Sequence, residues 1–412
     1  MTPSKPALLQ IYLGARHLVP LIAKPFLKKR LRAGKEHDTR WIEKLGQATV
    51  ARPAGALIWL HAVGLGEVLS LRGLIAIMGE MDPTAHFLIT STALSSAKGI
   101  ANQLPPRTQH QFLPLDAPSY VRSFLDHWKP DLVIWAEQDI WPGMVHDVQK
   151  RDIPQALINA RMNTVSLNKH MKARRLYQST YQQMDMITAQ DNESAQNLQA
   201  LGARKPIAIN PAMKASAPAL SCDEQALKNL QKVIKNRRVW ITAPAHGPDA
   251  DFAIRAHKTL LAHDPTALLI IAPRDVRLSL PEDLPRRSKD QMPSGPIWIA
   301  DTLGELGLFY RLADTALIGG TFNDIQGHSP WEAASLGCAI LHGPQTANFA
   351  SDFASLKRNH GAVPVGSADD IANALLHANR DALTQNAMSL IATARADLRP
   401  FAQALLSLRG RS

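Results

Sequence analysis

From residue 56 onward, short apolar runs rich in β-branched residues recur between helix-length segments, and this rhythm constrains the fold more than any other feature. ALIWL at 56–60, HFLIT at 86–90, LVIW at 132–135 and QALI at 155–158 read as strands of a buried parallel sheet. RVWIT at 238–242, ALLIIA at 267–272, IWIA at 297–300, TALI at 315–318 and AIL at 339–341 repeat the style, with helices expected at 249–263, 303–312 and 330–336. The fold class is α/β: two Rossmann-like, doubly wound domains, with a ligand site expected in the cleft at their carboxyl edges. NPAMKASAPALS at 210–221 reads as the linker, dividing 51–212 from 213–395. Residues 380–412 are helix-prone, with an interruption expected at Pro400.

The charge is unevenly placed. The chain's 46 Lys and Arg and 35 Asp and Glu leave +11, and residues 1–50 hold ten bases against three acids, so +7 sits there. The cluster of Lys28, Lys29, Arg30 and Arg32 follows an apolar stretch at 8–22 interrupted by Arg16, His17 and Pro20. That stretch is too short for a spanning helix and lacks a signal-peptidase site. Residues 1–50 therefore read as an amphipathic arm on an anionic membrane surface, the alternative being a solvated basic helix. No nucleic-acid partner is expected, because the basic residues do not cover a face with interleaved aromatics. Cys222 and Cys338 are too few for a disulfide framework, which fits a reducing compartment.

Chemistry-bearing residues follow the strands. In HAVGLGEV at 61–68 a strand, a two-glycine loop and a helix start bring backbone N–H groups near a ligand, and Glu67 is either a general base or a helix-dipole carboxylate. Glu137 and Asp139 lie between Trp135 and Trp141 after another strand, where desolvation raises carboxyl pKa values. Arg274 is a phosphate candidate or a surface ion pair. The strongest signal is GGTF at 319–322 followed by GHSPWEAA at 327–334: Ser329 reads as an N-cap, Pro330 as a first-turn residue and Glu332 as an acceptor for ribose hydroxyls, which makes a nucleotide-sugar site. No P-loop, HExxH, CxxC or GxSxG motif occurs, and the 15 histidines are scattered, so no metal site is expected.

Over nearly its whole length the chain resembles the 3-deoxy-D-manno-oct-2-ulosonic acid (Kdo) transferases of Gram-negative lipid A biosynthesis. The likeness lies in WIEKLG at 41–46, the 61–67 loop, 137–142, NARM at 159–162, 301–306 and, most specifically, 319–349. The resemblance implies a GT-B fold with an N-terminal acceptor-binding domain, a C-terminal CMP-sugar domain and a helix at 396–412 crossing back to the first. It implies inverting transfer of Kdo from CMP-Kdo to a lipid A precursor in lipopolysaccharide biosynthesis, at the cytoplasmic face of the inner membrane, with no metal and no cofactor beyond the donor. Glu67 matches the family's base, and Glu137 and Lys214 match transition-state stabilisers. Pro273, Arg274, Leu303, Gly304, Glu305, Ser329, Pro330, Trp331 and Glu332 match CMP-contacting positions. Departures stand at Gly64, Asp139, Pro244, Ala245, Asp275 and Ser329, so the alternatives are a GT-B transferase or epimerase for another activated sugar, or a non-catalytic membrane-bound paralogue.

Overall fold

The computed structural model describes residues 6–101, 104–137, 140–203, 206–210 and 213–410, the side chain of Leu65 excepted. It divides into unit 1, Met1–Ala217 with Arg395–Ser412, and unit 2, Pro218–Ala394. Unit 1 carries β1 (Leu57–His61), β2 (His86–Ser91), β3 (Thr108–Phe112), β4 (Leu132–Ala136), β5 (Gln155–Ala160), β6 (Met186–Ala189) and β7 (Ala208–Ile209) in a parallel sheet ordered β3-β2-β1-β4-β5-β6-β7. Unit 2 carries β8 (Val239–Ala245), β9 (Leu268–Pro273), β10 (Ile297–Ile299), β11 (Thr315–Ile318), β12 (Ala339–His342) and β13 (Ala362–Pro364), ordered β10-β9-β8-β11-β12-β13. Each sheet reverses direction of winding between its first and fourth strands, which makes β1/β4 and β8/β11 the topological switch points.

The apolar runs are strands because both faces of each sheet are covered. Leu57 to Leu60 in β1 and Leu132 to Trp135 in β4 have no exposed surface. The Trp59 ring meets Trp135 edge-on at 5.1 Å and Phe124 at 4.7 Å. Burying indoles requires acceptors: Trp59 donates to Thr90 Oγ1 at 2.8 Å, Trp128 to Gln111 Oε1 at 2.8 Å and Trp135 to Gln155 Oε1 at 3.0 Å. Gln111 explains why TQHQF forms β3 despite its polar pattern.

Three expectations need correction. Pro400 does not interrupt the last helix, which runs unbroken over Arg380–Leu406. Beyond Arg395 it belongs to unit 1, where Leu398, Phe401, Ala402 and Leu405 are buried in the core with β1 and β4. Packing of these side chains, about 1.5–3 kcal/mol for each large one, outweighs the roughly 3 kcal/mol a mid-helix proline costs. Second, the unit boundary falls after Ala217, so Lys214 lies in unit 1 rather than with the second half.

Third, the arm is not a separate segment. It consists of helices Ala7–Ala15 and Val19–Arg32 joined by a 3-10 turn at Arg16–Leu18, with Pro20 placed in a first turn rather than as a break. Leu9, Ala23 and Leu27 are buried, whereas Ile11, Leu18, Leu21, Ile22 and Phe26 are each more than half exposed. Arg16 is buried and pairs with Asp116 at 2.6 Å and Asp147 at 2.8 Å. Gly143 permits that approach, since a Cβ there would lie 2.2 Å from Arg16 Nε. Among the described residues no helix is long and apolar enough to cross a membrane.

Candidate functional site

In unit 1 the switch point gathers the carboxylates. Glu67 lies in the first turn of helix Leu65–Met81, directly after β1, and its Oε2 accepts from Val63 N at 2.8 Å and Gly64 N at 3.2 Å. Two backbone donors thus fix the carboxylate at a strand's carboxyl end, as the helix-cap reading of Glu67 requires. Glu137 follows β4 in the left-handed region, φ +64°, with its N–H donating to Ile158 O at 3.0 Å. Its carboxyl pKa is pushed up to about 7, first by burial and then by the negative charge of Glu67, while Lys214 and Arg161 pull it down. Glu67 is the charged neighbour that acts most strongly on Glu137, so the two carboxyl groups lie within electrostatic reach of one another.

Lys214 therefore joins the two carboxyl groups it was expected to accompany. Asp139 lies outside the described residues. Asn159 and Arg161, quoted above only as part of a motif, also belong to the cluster: Asn159 Nδ2 donates to Glu137 Oε1 at 3.3 Å, and its N–H reaches Asn210 Oδ1 at 3.3 Å. Its φ of +52° is a signal asparagine tolerates well, but one that no periodicity reveals.

In unit 2 the switch point gathers nitrogen. His246 follows β8 and caps helix Gly247–His263; Gly319 and Gly320 follow β11. A Cβ on Gly319 would stand 1.8 Å from Pro244 O, so only glycine lets these strands' ends approach. Gly319→Ala is expected to lower stability by about 1–3 kcal/mol, measured by urea unfolding, because backbone rather than a flexible side chain must yield. Asp249 Oδ2 accepts from His246 N at 2.9 Å and Gly320 N at 2.8 Å, tying the two loops together. His246 Nε2 and His328 Nε2 lie 2.9 Å apart on parallel rings. Burial, with His246 and then Arg274 as lesser causes, lowers the His328 pKa to about 4, so this ring is neutral at pH 7. Arg274 leaves the end of β9, exposed, and no carboxylate pairs with it among the described residues. This sets aside its surface ion-pair reading.

The remaining expected positions are less uniform. Pro273 closes β9. Leu303 is 75% exposed and Gly304 has φ +87°, both in a loop rather than in the helix expected from 303, which spans Leu306–Leu312. Glu305 is held by Arg287 at 2.8 and 3.1 Å and by Thr302, so Arg287 keeps its pKa below the ordinary range. Ser329 does not cap: the helix is a single turn, Trp331–Ala334, with Pro330 at the cap position and no side-chain cap bond. The chain is held there instead by Trp331 Nε1 donating to Asp352 Oδ1 at 2.7 Å. Pro330 and Trp331 are buried and Glu332 half-buried.

No group of three or more His, Cys, Asp or Glu side chains fit for a metal occurs among the described residues.

Residues 39–217 match the family model described as 3-deoxy-D-manno-octulosonic-acid transferase (kdotransferase). The probable mitochondrial 3-deoxy-D-manno-octulosonic acid transferase of Arabidopsis thaliana is 32% identical over 350 residues, 80% of this chain and 78% of that one. The 3-deoxy-D-manno-octulosonic acid transferase of Rickettsia typhi is 29% identical over 361 residues, 82% and 76% of the two chains. Among solved structures, a putative UDP-N-acetylglucosamine 2-epimerase from Listeria monocytogenes matches 81% of this chain and 91% of its own with a TM-score of 0.52 at 14% identity, a likeness of GT-B fold alone. With switch-point carboxylates in unit 1, a glycine-walled histidine site in unit 2 and relatives of this reach, the chain belongs to the 3-deoxy-D-manno-octulosonic acid transferase family of glycosyltransferases.

Proposed function

We propose that the protein transfers Kdo, with inversion, from CMP-Kdo to a hydroxyl of a lipid A precursor at the face of an anionic membrane. The observation that carries the catalytic part is the Glu67–Glu137 pair beside Lys214 and Arg161. One carboxylate of the pair can accept the acceptor's hydroxyl proton as the new C–O bond forms at the anomeric carbon. In the same displacement the bond from that carbon to the CMP phosphate breaks and the phosphate leaves with the electron pair. Glu67 is the base because two N–H groups orient it; Glu137 supplies the neighbouring hydrogen bond, and Lys214 and Arg161 stabilise developing negative charge. In unit 2, Arg274 and the loops after β8 and β11 are the donor-phosphate ligands. Pro273, Leu303, Gly304, Glu305, Ser329, Pro330, Trp331 and Glu332 remain the proposed nucleotide-contacting set. The exposed apolar residues of the arm, beside Lys28 and Lys29, support a peripheral membrane address.

The direct test is product mass after incubation with CMP-Kdo and a tetraacyl disaccharide bisphosphate; absence of a Kdo adduct from folded protein overturns the reading. Thermal stabilisation by CMP supports it, about 2.7 kcal/mol at 100 times Kd, and stabilisation by UDP alone would favour another activated sugar.

Glu137 also predicts a pH dependence of stability. Its folded pKa, about 7, exceeds the ordinary 4.5, so the folded state binds the proton more tightly. Below pH 4.5 both states are protonated and no penalty exists; between 4.5 and 7 the unfolded chain ionises first, and stability falls as pH rises. Glu137→Gln removes this loss. Above pH 8 the variant is expected to be more stable than the parent by roughly 2–3 kcal/mol, with a difference that vanishes near pH 4, read by urea unfolding across pH.

A further inference from the structure

A cavity of about 350 Å³ opens in unit 1, away from the carboxylate pair, between the arm's 3-10 turn and helices Pro118–Trp128 and Pro142–Gln149. Its wall carries Arg16, His17, Arg122, His146, Lys150 and Arg151 against the one acid Asp147. Charge accounting within it is specific. Arg16 is shared by two carboxylates, Asp116 and Asp147, and Arg151 pairs with Asp126 at 2.6 Å. Arg122 and Lys150 are exposed and, among the described residues, no carboxylate pairs with either. These two cations can meet a phosphomonoester, which carries about −1.5 to −2 at neutral pH, while the second acid on Arg16 holds the excess charge of the named groups to +1. Helix Ala7–Ala15 and the 3-10 turn, which give Leu13, Arg16 and His17 to the wall, also expose Ile11 at 67% and Leu18 at 63%, so the segment that lines the cavity carries apolar surface for acyl chains.

We propose that this cavity binds the phosphomonoester headgroup of a membrane lipid, which fixes how the arm sits on the bilayer as well as how strongly. The inference rests on the membrane address of the arm given above, and three variants separate the two. Arg122→Gln/Lys150→Gln alters only exposed cavity residues; Lys28→Gln/Lys29→Gln removes equal charge from the arm; Ile11→Ser/Leu21→Ser removes its apolar contacts. Binding of the full chain is measured by co-sedimentation with vesicles of phosphatidylcholine containing either phosphatidic acid or phosphatidylglycerol at matched surface charge. The parent is expected to prefer phosphatidic acid severalfold. The cavity variant should lose about thirtyfold in affinity for those vesicles, about 2 kcal/mol, and with it the preference. The arm-lysine variant should weaken binding while keeping the preference.

A cavity variant that retains the preference overturns the proposal, and if Ile11→Ser/Leu21→Ser still releases the protein, the membrane address stands without it. If neither the cavity nor the apolar variant weakens binding, both readings fail. Glycerol 3-phosphate titrated by calorimetry distinguishes sources: binding lost in the cavity variant while vesicle binding is unchanged would assign the cavity to a soluble phosphate and overturn the lipid assignment. A melting midpoint for the cavity variant equal to the parent's confirms that a loss of binding is not unfolding.

Discussion

Glu67→Gln is expected to lower kcat for sugar transfer by about 10²–10⁴-fold with little change in stability. The amide keeps an oxygen that can accept from Val63 N and Gly64 N, so the start of helix Leu65–Met81 remains held. What it loses is the ability to take a proton. Glu67→Ala should show the same loss of turnover together with about 0.5–2 kcal/mol of destabilisation, the usual effect of deleting a helix-terminal acceptor. Comparing the two by steady-state assay and urea unfolding divides the residue's two roles. Full activity in Glu67→Gln would remove it as the base. The same replacement removes a negative charge beside Glu137, so the Glu137 pKa should move down toward its ordinary range.

Arg16→Ala is expected to destabilise the protein by about 3–5 kcal/mol at neutral pH, a large share of a folding free energy of 5–15 kcal/mol. The guanidinium is 3% exposed and its partner Asp116 4%, with Tyr12 donating a further bond to Asp116 Oδ2 at 2.7 Å. Deleting the cation leaves a buried carboxylate without its counter-charge. Burial already pushes the Asp116 pKa up, and losing Arg16 pushes it further, so the variant is hurt least at low pH, where Asp116 is protonated in both states, and increasingly as pH rises. Asp116→Asn combined with Arg16→Met should recover part of the loss. Unfolding in urea at pH 5 and pH 8 tests the sign. Equal deficits at both would show that packing against Gly143, rather than charge, holds the arm.

What the sequence makes legible follows from burial on both faces. β1, β4, β8, β9 and β11 announce themselves because their buried positions are almost all apolar, and the residues just past their ends are then automatically candidates. Glu67 and Glu137 were found this way. β3 and β13 escape because an edge strand has one neighbour and admits polar residues; β6 and β7 are too short to show a period. Asn159 and Arg161 escape because their part depends on β5 lying beside β4, a pairing rather than a local pattern. The approach of His246 to His328 spans 82 positions and rests on the β8/β11 crossover. Ser329 misleads in the opposite sense: the cap chemistry is present, but one helical turn leaves it no bond to make.

The helix that carries Pro400 has a consequence for the order of synthesis. Leu398, Phe401, Ala402, Leu405, Leu406 and Leu408 complete a core whose other members lie before residue 217, so that core cannot close until residues 395–410 have left the ribosome. At roughly 5–20 residues per second, the first unit waits about 10–40 s with its sheet face and its basic, apolar arm already exposed. The nascent chain can therefore meet a membrane surface before it is a finished enzyme, because the residues that close its first core are made only after the whole of the second unit.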